Sequence, residues 1–307
     1  MARAVRTYSR AGGALILQLT AALALASCTI GDGSSPSDDR DATLSDAPST
    51  VTTVVTPTSS TAAEEPDPAG SEARTDDAAL KDAVAAAIDT YGGQAGIAVF
   101  DGAEVHSAGT TEGYPAWSTS KVPVAIAAQR AGVADAHTIS QAITYSDNQA
   151  AESLWAALGD PAAAGPAANE VLRDGGDEET TVQTEKVRPE FTAFGQTHWG
   201  LENQARFAHA LPEIAGAGPV LEAMRADDPA QAYGLRTLDG AALKGGWGPD
   251  ETGAYDVVQI GRVQLGGKDV GVAVYAHAGD GTYETAQQEL SYLAQKVSGE
   301  KSGTSAH

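Results

Sequence analysis

Cysteine is almost absent from this sequence, because Cys28 is the only one among 307 residues. A disulfide within the chain is therefore excluded. The six histidines show no His-Glu-x-x-His spacing or comparable ligand pattern, so we predict neither a metal nor a cofactor. A Gly-x-Ser-x-Gly elbow and a phosphate-binding loop are also missing, which excludes α/β-hydrolases and nucleotide-dependent enzymes.

Positive charge is scarce as well. Lysine and arginine together number 19, against 41 aspartates and glutamates, and the formal net charge is −22 at pH 7. A polyanion repels phosphate groups, and no cluster of basic residues interrupts the acidity, so a nucleic-acid partner is excluded. The acidity mainly favours solubility, and we expect a monomer.

A long hydrophobic run is also lacking, since the apolar stretch from Ala14 to Ala26 is too short to cross a bilayer comfortably. It follows three arginines near the N-terminus, which is the pattern of a secretion signal. The next residues, Leu25-Ala26-Ser27-Cys28, resemble a bacterial lipobox. We therefore predict a lipoprotein signal peptide over residues 1–28 and a lipidated Cys28 that anchors the protein outside the cytoplasm, on the bacterial cell membrane. An ordinary buried cysteine is the alternative.

Large aromatic residues are missing from the next segment, residues 29–76, which is rich in Ser, Thr, Pro, Asp and Ala. Such a segment buries too little apolar surface to offset its ordering entropy, so we predict a disordered tether. The chain as a whole is 42% hydrophobic, and periodic patterns begin at Asp77. Residues 77–298 are therefore predicted to form one folded domain, and residues 299–307 a flexible tail.

Hydrophobic periodicity predicts the fold of this domain. An amphipathic helix opens it, and alanine-rich helical segments broken by glycines fill most of residues 118–211. Strands are predicted at Ala95–Phe100, Glu104–Ala108, Ala241–Gly246, Tyr255–Leu265 and Asp269–His277, followed by a helix over Tyr283–Val297. We therefore predict an α+β fold, in which an antiparallel five-stranded sheet flanked by helices lies beside an all-helical lobe.

A Ser-x-x-Lys sequence opens the helical region. Ser118 and Lys121 precede a helix in which Pro123 is tolerated because it lies in the first turn. Their spacing puts both side chains on one helical face, so the Lys121 amine can take the Ser118 proton if burial or a nearby cation keeps it neutral. Ser118 is thus a candidate nucleophile and Lys121 its base. For an isolated motif, a helix cap followed by a surface lysine is the commoner interpretation.

Ser146-Asp147-Asn148 lies between two predicted helices, where all three residue types also favour capping. As a functional motif, Ser146 passes a proton to the leaving nitrogen and Asn148 donates to a substrate carbonyl. Lys244-Gly245-Gly246 lies on a predicted strand and precedes Trp247. There Lys244 is a second cation that lowers the pKa of Lys121 and orients Ser146, while Gly246 lets the strand approach a substrate backbone. A strand end or bulge is the alternative for this tripeptide.

In this order, and on a helix, a loop and a strand, the three motifs resemble the Ser-x-x-Lys, Ser-Asp-Asn and Lys-Thr-Gly signature of class A β-lactamases and penicillin-binding proteins. The resemblance covers nearly the whole domain. It implies that family's fold and an acyl-enzyme on Ser118. It also implies an oxyanion hole formed by the backbone N–H groups of Ser118 and Trp247, and a peptidoglycan-type peptide or a β-lactam as the substrate.

The sequence departs from this family in three places. The stretch from Ser118 to Ser146 is shorter than in familiar β-lactamases, as if part of the helical lobe were deleted. Gly245 stands where the family has a Thr or Ser hydroxyl that binds the carboxylate of penicillins. The acids between Gly165 and Gln196 lack the asparagine that follows the deacylating glutamate four residues later, and Glu185 is the nearest candidate by position. We therefore expect weakened penicillin binding and slow deacylation.

The leading hypothesis is an exported, lipid-anchored serine hydrolase or acyltransferase that acts on amide or lactam carbonyls, with a cell-wall peptide as the expected substrate. Its alternative is a catalytically silent relative that keeps the fold as a cell-surface binding lipoprotein. A Ser-x-x-Lys esterase ranks third, because such enzymes use a tyrosine where this chain has Ser146, and Tyr145 is one position off.

Overall fold

The computed structural model describes residues 75–299. The predicted signal peptide with Cys28, all of the tether but its last two residues, and the tail after Gly299 lie outside these residues. No helix in the described part of the chain is long and apolar enough to cross a membrane.

Two helices begin and end the described chain. Helix α1 spans Asp77–Tyr91, and the side chain of Asp76 caps it by accepting a hydrogen bond of 2.9 Å from the Ala79 amide. Helix α8 spans Tyr283–Ser298 and is capped in the same way by Thr282. Both pack against one face of the central sheet, which places the two ends of the domain side by side.

The sheet has five strands in the order β2-β1-β5-β4-β3, and every neighbouring pair is antiparallel. The strands are β1 (Gln94–Phe100), β2 (Val105–Gly109), β3 (Ala242–Pro249), β4 (Tyr255–Leu265) and β5 (Lys268–His277). The pairs β1–β2, β3–β4 and β4–β5 are hairpins, and β5 pairs with β1 to join the first hairpin to β3 and β4. The predicted antiparallel five-stranded sheet is confirmed.

The remaining helices form the lobe on the other side of the sheet. They are α2 (Lys121–Arg130), α3 (Ala136–Ile143), α4 (Asn148–Ala157), α5 (Pro161–Asp174), α6 (Leu201–Ala210) and α7 (Gly218–Arg225). Helix α6 lies on β5 and β1, whereas α2 runs through the middle of the lobe with every residue from Lys121 to Ala128 buried. The lobe has its own core, formed around Ile126, Ile139, Leu154, Leu172 and Phe194. The predicted α+β architecture is therefore confirmed.

Strand β3 differs from its prediction, since it continues to Pro249, beyond the predicted end at Gly246. The reason is close packing against the segment that carries Ser118. A Cβ atom on Gly248 would lie 2.5 Å from the ring of Trp117. In the sequence these glycines indicated the end of a strand. In the structure they let β3 pack closely against the segment that carries Trp117 and Ser118.

Candidate active site

Ser118 lies on a single 3-10 turn, Trp117–Ser120, that leads directly into α2. The side chains of Thr119 and Ser120 hold this turn through hydrogen bonds to the carbonyls of Ala116 (2.8 Å) and Trp117 (2.6 Å). In such a turn residues i and i+3 are eclipsed, so Ser118 and Lys121 share a face as the spacing predicts. The half-buried Ser118 lines a cleft of about 510 Å³.

Two residues beside this site have backbone angles that side chains seldom adopt. Trp117, immediately before Ser118, has a φ of 49°, and Ser146 has a φ of 58°. Among the described residues these are the only non-glycine residues with positive φ. Strain of this kind costs about 1–3 kcal/mol per residue and persists where the surroundings enforce it, which is typical of functional sites.

Ser146 lies between the side-chain nitrogens of two buried lysines. Lys244 Nζ donates to Ser146 Oγ at 2.8 Å, and Lys121 Nζ is 3.3 Å from the same oxygen. Lys121 also donates to the Ser146 carbonyl at 2.6 Å and to Asn148 Oδ1 at 2.7 Å. The loop is fixed by Asp147, whose carboxylate caps α4 through the Ala150 amide. The structure thus brings the second and third motifs to the lysine of the first.

Burial controls the charge of both lysines. It lowers the pKa of Lys121 to about 8, against an opposing effect of the Asp147 carboxylate. It also places the pKa of Lys244 well below the usual value, helped by the nearby Lys121 and opposed by Asp228. A neutral amine is therefore accessible near neutral pH. When Lys121 is neutral, its lone pair can accept the Ser146 hydroxyl proton across the 3.3 Å contact.

Gly246 brings strand β3 against the turn that carries the nucleophile. A Cβ atom there would lie 2.7 Å from both the Ser118 amide nitrogen and the Ala116 carbonyl oxygen. Any side chain at this position would push the strand away from Ser118. Trp247, the next residue, lines the cleft together with Ser118. The two residues of the predicted oxyanion hole therefore lie on adjoining segments.

At Gly245 the space of a side chain is taken by other residues. A Cβ atom would lie 3.3 Å from Gln231 Oε1 and 3.5 Å from the Tyr233 hydroxyl. Gln231 is held in place by its hydrogen bond of 2.7 Å to the Thr144 carbonyl. A threonine hydroxyl at residue 245 would require Gln231 to shift, so the departure from the Lys-Thr-Gly pattern is matched by its surroundings.

The sequence did not single out the acids of the cleft. Glu152 on α4 and Glu190 line it, and Glu152 forms an ion pair of 3.2 Å with Lys186 across the cleft wall. Glu190 forms an ion pair of 3.4 Å with Arg188, and 57% of its side chain is exposed. No spacing distinguished Glu190 from the other acids of this irregular segment, because only the path of the loop brings it to the cleft.

Two weaker candidates lie elsewhere. Glu185 is exposed and is not among the residues that line the cleft. Tyr145 is 56% exposed, whereas its neighbour Ser146 occupies the position between the lysines. Of the acids near the cleft, Glu190 is therefore better placed than Glu185, and the geometry disfavours a tyrosine-dependent esterase. No group of described residues could hold a metal ion.

Solved structures of class A β-lactamases share this fold. A variant of the last common ancestor of the class A β-lactamases of Gram-negative bacteria is 23% identical, with a TM-score of 0.55 over 71% of this chain and 97% of that one. A class A β-lactamase from Bacteroides cellulosilyticus is 14% identical, with a TM-score of 0.59 over 73% and 97% of the two chains. For the TLA-1 extended-spectrum β-lactamase the identity is 15% and the TM-score 0.58, over 72% and 97%.

No family model matches the sequence, and no curated protein matches it. The likeness to the solved structures is therefore one of fold, and it confirms the resemblance that the three motifs predict at that level. It spans nearly the full length of each of these β-lactamases. The chemistry has to be argued from the residues of this chain.

Proposed function

We propose that this protein is an exported, lipid-anchored serine hydrolase or acyltransferase that attacks amide or lactam carbonyls through an acyl-enzyme on Ser118. The observation that carries the proposal is the Ser146 hydroxyl, held 2.8 Å and 3.3 Å from the Nζ atoms of two buried lysines beside the cleft. Burying two amines is costly and needs partners. A hydroxyl between them is suited to moving protons.

The proposed first step forms a bond between Ser118 Oγ and the substrate carbonyl carbon, while the hydroxyl proton passes to neutral Lys121. The developing oxyanion is stabilised by the backbone N–H groups of Ser118 and Trp247. The carbon–nitrogen bond then breaks, and the leaving nitrogen takes a proton from Ser146. Lys121 returns its proton to Ser146, and Lys244 orients the hydroxyl throughout. The product is an ester on Ser118.

The proposed substrate is a cell-wall peptide of the peptidoglycan type, which β-lactams mimic. The predicted lipid anchor at Cys28 and the tether would hold the domain near that polymer, outside the cytoplasm. The cleft volume of about 510 Å³ suits a short peptide segment. Gly245 supplies no hydroxyl for a penicillin carboxylate, so a peptide is favoured over a penicillin.

The fate of the acyl-enzyme depends on what activates water. Glu190 is the acid we propose for this role, in place of Glu185, because it lines the cleft with Ser118 and its ion pair of 3.4 Å is longer than the 3.2 Å pair of Glu152, the other acid of the lining. It is largely exposed and paired with Arg188, so it is a weakly activated base. We therefore expect acylation to outpace hydrolysis and the acyl-enzyme to accumulate.

The proposal is tested by incubating the full chain with a fluorescent penicillin and, separately, with an acyl phosphonate, followed by intact mass. We expect one phosphonate adduct per chain, and less penicillin adduct. Ser118→Ala should give none, whereas the matched variant Ser153→Ala, an exposed serine on α4, should react like the wild type. If neither reagent forms an adduct with the folded wild type, the proposal is wrong.

A catalytically silent binding lipoprotein is the second candidate. It is favoured by the contacts of Lys121, which donates to the Ser146 carbonyl and Asn148 Oδ1 and has no hydrogen bond to Ser118 among the described residues. Under this alternative, a cell that produces the Ser118→Ala variant has the same phenotype as a cell that produces the wild-type protein. The alternative would be excluded if the variant has a wild-type circular dichroism spectrum but its cell has the phenotype of a cell that lacks the protein.

A further inference from the structure

A groove of about 610 Å³ runs along the exposed face of α8, and the proposed chemistry at Ser118 does not use it. Its floor is a stripe of α8 that repeats every three to four residues: Glu284, Gln287, Gln288, Ser291, Tyr292 and Gln295. The stripe is about 16 Å long at the rise of an α-helix. Tyr91 from the end of α1 and Tyr233 form parts of the walls.

The groove is nearly uncharged in a protein whose formal net charge is −22. Glu284 is the only ionisable acid or base among its described lining residues apart from tyrosines. Four side chains of the groove form no side-chain hydrogen bond within the described part of the chain. They are the side-chain amides of Gln288 and Gln295 and the hydroxyls of Tyr91 and Tyr292. These groups offer donors and acceptors to a ligand without first breaking an internal contact.

This lining disfavours several other classes of ligand. No lysine or arginine is present among the lining residues to bind a phosphate or carboxylate, and a single acid does not bind a polycation. Leu238 is the only aliphatic lining residue, and the rest of the apolar surface belongs to tyrosine rings and to the stems of polar side chains, which suits a lipid chain poorly. A peptide that binds by adding a strand needs a free sheet edge, and the free edges of the sheet are β2 and β3 rather than a helix face.

A neutral ligand rich in hydroxyl groups fits what remains. Side-chain amides hydrogen-bond to hydroxyls both as donors and as acceptors. Tyrosine rings supply flat apolar faces together with a polar end. Tyr91 and Tyr292 lie edge to face at 5.7 Å at one end of the groove, where the Lys296 ammonium lies 4.8 Å from the centre of the Tyr292 ring. We propose that this groove binds a neutral oligosaccharide chain.

An aromatic wall joins the groove to the cleft. The Tyr233 hydroxyl in the groove is 3.2 Å from the Tyr283 hydroxyl, and the ring of Tyr283 stacks on Trp247 at 5.4 Å. Trp247 in turn lines the cleft with Ser118. A polymer that carries sugars and peptides can therefore place its glycan on α8 and its peptide at Ser118. This link rests on the proposed function, whereas glycan binding itself does not.

The test is isothermal titration calorimetry of the full chain with two probes, a β-1,4-linked N-acetylglucosamine trimer and maltotriose. We expect saturable binding of at least one probe, and the one that binds identifies the sugar type. The double variant Gln288→Ala/Gln295→Ala should weaken this binding about tenfold or more, as expected for two lost hydrogen bonds. Both side chains lie on the outer face of α8, so a thermal melt should show that the variant is folded.

Two controls separate this proposal from the chemistry at Ser118. Gln129→Ala changes a glutamine of α2 in the helical lobe and should bind as the wild type does. Ser118→Ala should also retain full binding, so a failure of acylation leaves the glycan proposal standing. Absence of saturable binding for both trimers overturns the proposal, as does binding that the double variant leaves unchanged.

Discussion

Lys244 and Glu289 are both completely buried ionisable side chains, but their surroundings differ. Lys244 donates hydrogen bonds to Ser146 Oγ at 2.8 Å and to the Gly245 carbonyl at 2.7 Å. Neither carboxyl oxygen of Glu289, on the inner face of α8, has a hydrogen-bond partner among the described residues. Burial favours the neutral form of both groups. It lowers the pKa of Lys244 well below the usual value and raises the pKa of Glu289 to about 8.

Burial alone makes an ionisable group neutral, whereas its contacts decide what the neutral group can do. The two lysines contact one hydroxyl, that of Ser146, beside a strained turn and a cleft. Because their pKa values are lowered, they can take part in proton transfer there. Glu289 has no hydrogen-bond partner among the described residues, so its raised pKa makes folding stability depend on pH.

Removing the amine of Lys121 is expected to have the largest effect. Lys121→Ala should slow the reaction of Ser118 with an acyl phosphonate by about 10²- to 10⁴-fold, the usual contribution of a positioned general base. Rates are measured by intact mass against time. Lys186→Ala, which removes an exposed lysine of the same cleft, is the control and should change the rate little. Equal rates for the two variants would show that Lys121 is not the base.

The pH dependence of acylation sharpens the same claim. The base form of Lys121 increases as the pH rises toward its pKa of about 8. The rate should therefore rise about tenfold per pH unit below that value and level off above it. The residual rate of Lys121→Ala should lack this inflection. A flat wild-type profile between about pH 6 and pH 9 would mean that the lysine does not gain a proton in the rate-limiting step.

Glu289 tests how a buried group without a hydrogen-bond partner affects folding stability. Its pKa is raised from 4.5 in the unfolded chain to about 8 in the folded protein, so the folded state keeps a proton that the unfolded state releases. Its contribution to stability is complete below about pH 4.5 and is lost as the pH rises toward 8, at about 1.4 kcal/mol per unit at most. The total is therefore a few kcal/mol.

Glu289→Gln should remove most of this decline, because glutamine does not titrate. Urea unfolding at several pH values between 5 and 9 measures it. The matched control is Glu222→Gln, which changes an exposed glutamate of α7 and should leave the decline in place. A decline of equal size in Glu289→Gln would assign the pH dependence to other groups.

Gly246 gives a smaller expected effect on stability. Gly246→Ala places a Cβ atom 2.7 Å from the Ser118 amide nitrogen, so strand and turn must separate. We expect a loss of about 1–3 kcal/mol, typical of overpacking, together with slower acylation. Gly218→Ala is the control, because nothing lies within 4 Å of its added Cβ atom. Equal stability and equal acylation rates in both variants would contradict the close approach of β3.

Much of the fold could be predicted because hydrophobic periodicity is a local property of the sequence. The strands and closing helix were placed to within a few residues, and Ser118, Lys121, Ser146 and Lys244 were singled out by motif order. Strand β3 was cut short because glycines that serve close packing have the same local pattern as glycines that end a strand.

The remaining features depend on contacts between distant segments. Glu190 reaches the cleft only through the path of its loop. Glu289 lies on the same stripe of α8 as Ala286 and Leu293, and it is buried because this stripe packs against the sheet. In the sequence, the glutamines of α8 indicate only a solvent-exposed helix face. The groove is recognised only in the structure, where Tyr91 and Tyr233 lie beside them.

Peptide mapping of the wild-type chain after reaction with an acyl phosphonate tests the central claim most directly. The account predicts one modified peptide, with the adduct on Ser118, and no modification of Ser146, whose hydroxyl is held by the lysines. An adduct on Ser146 or on another residue, or a folded protein that forms no adduct, would contradict the account.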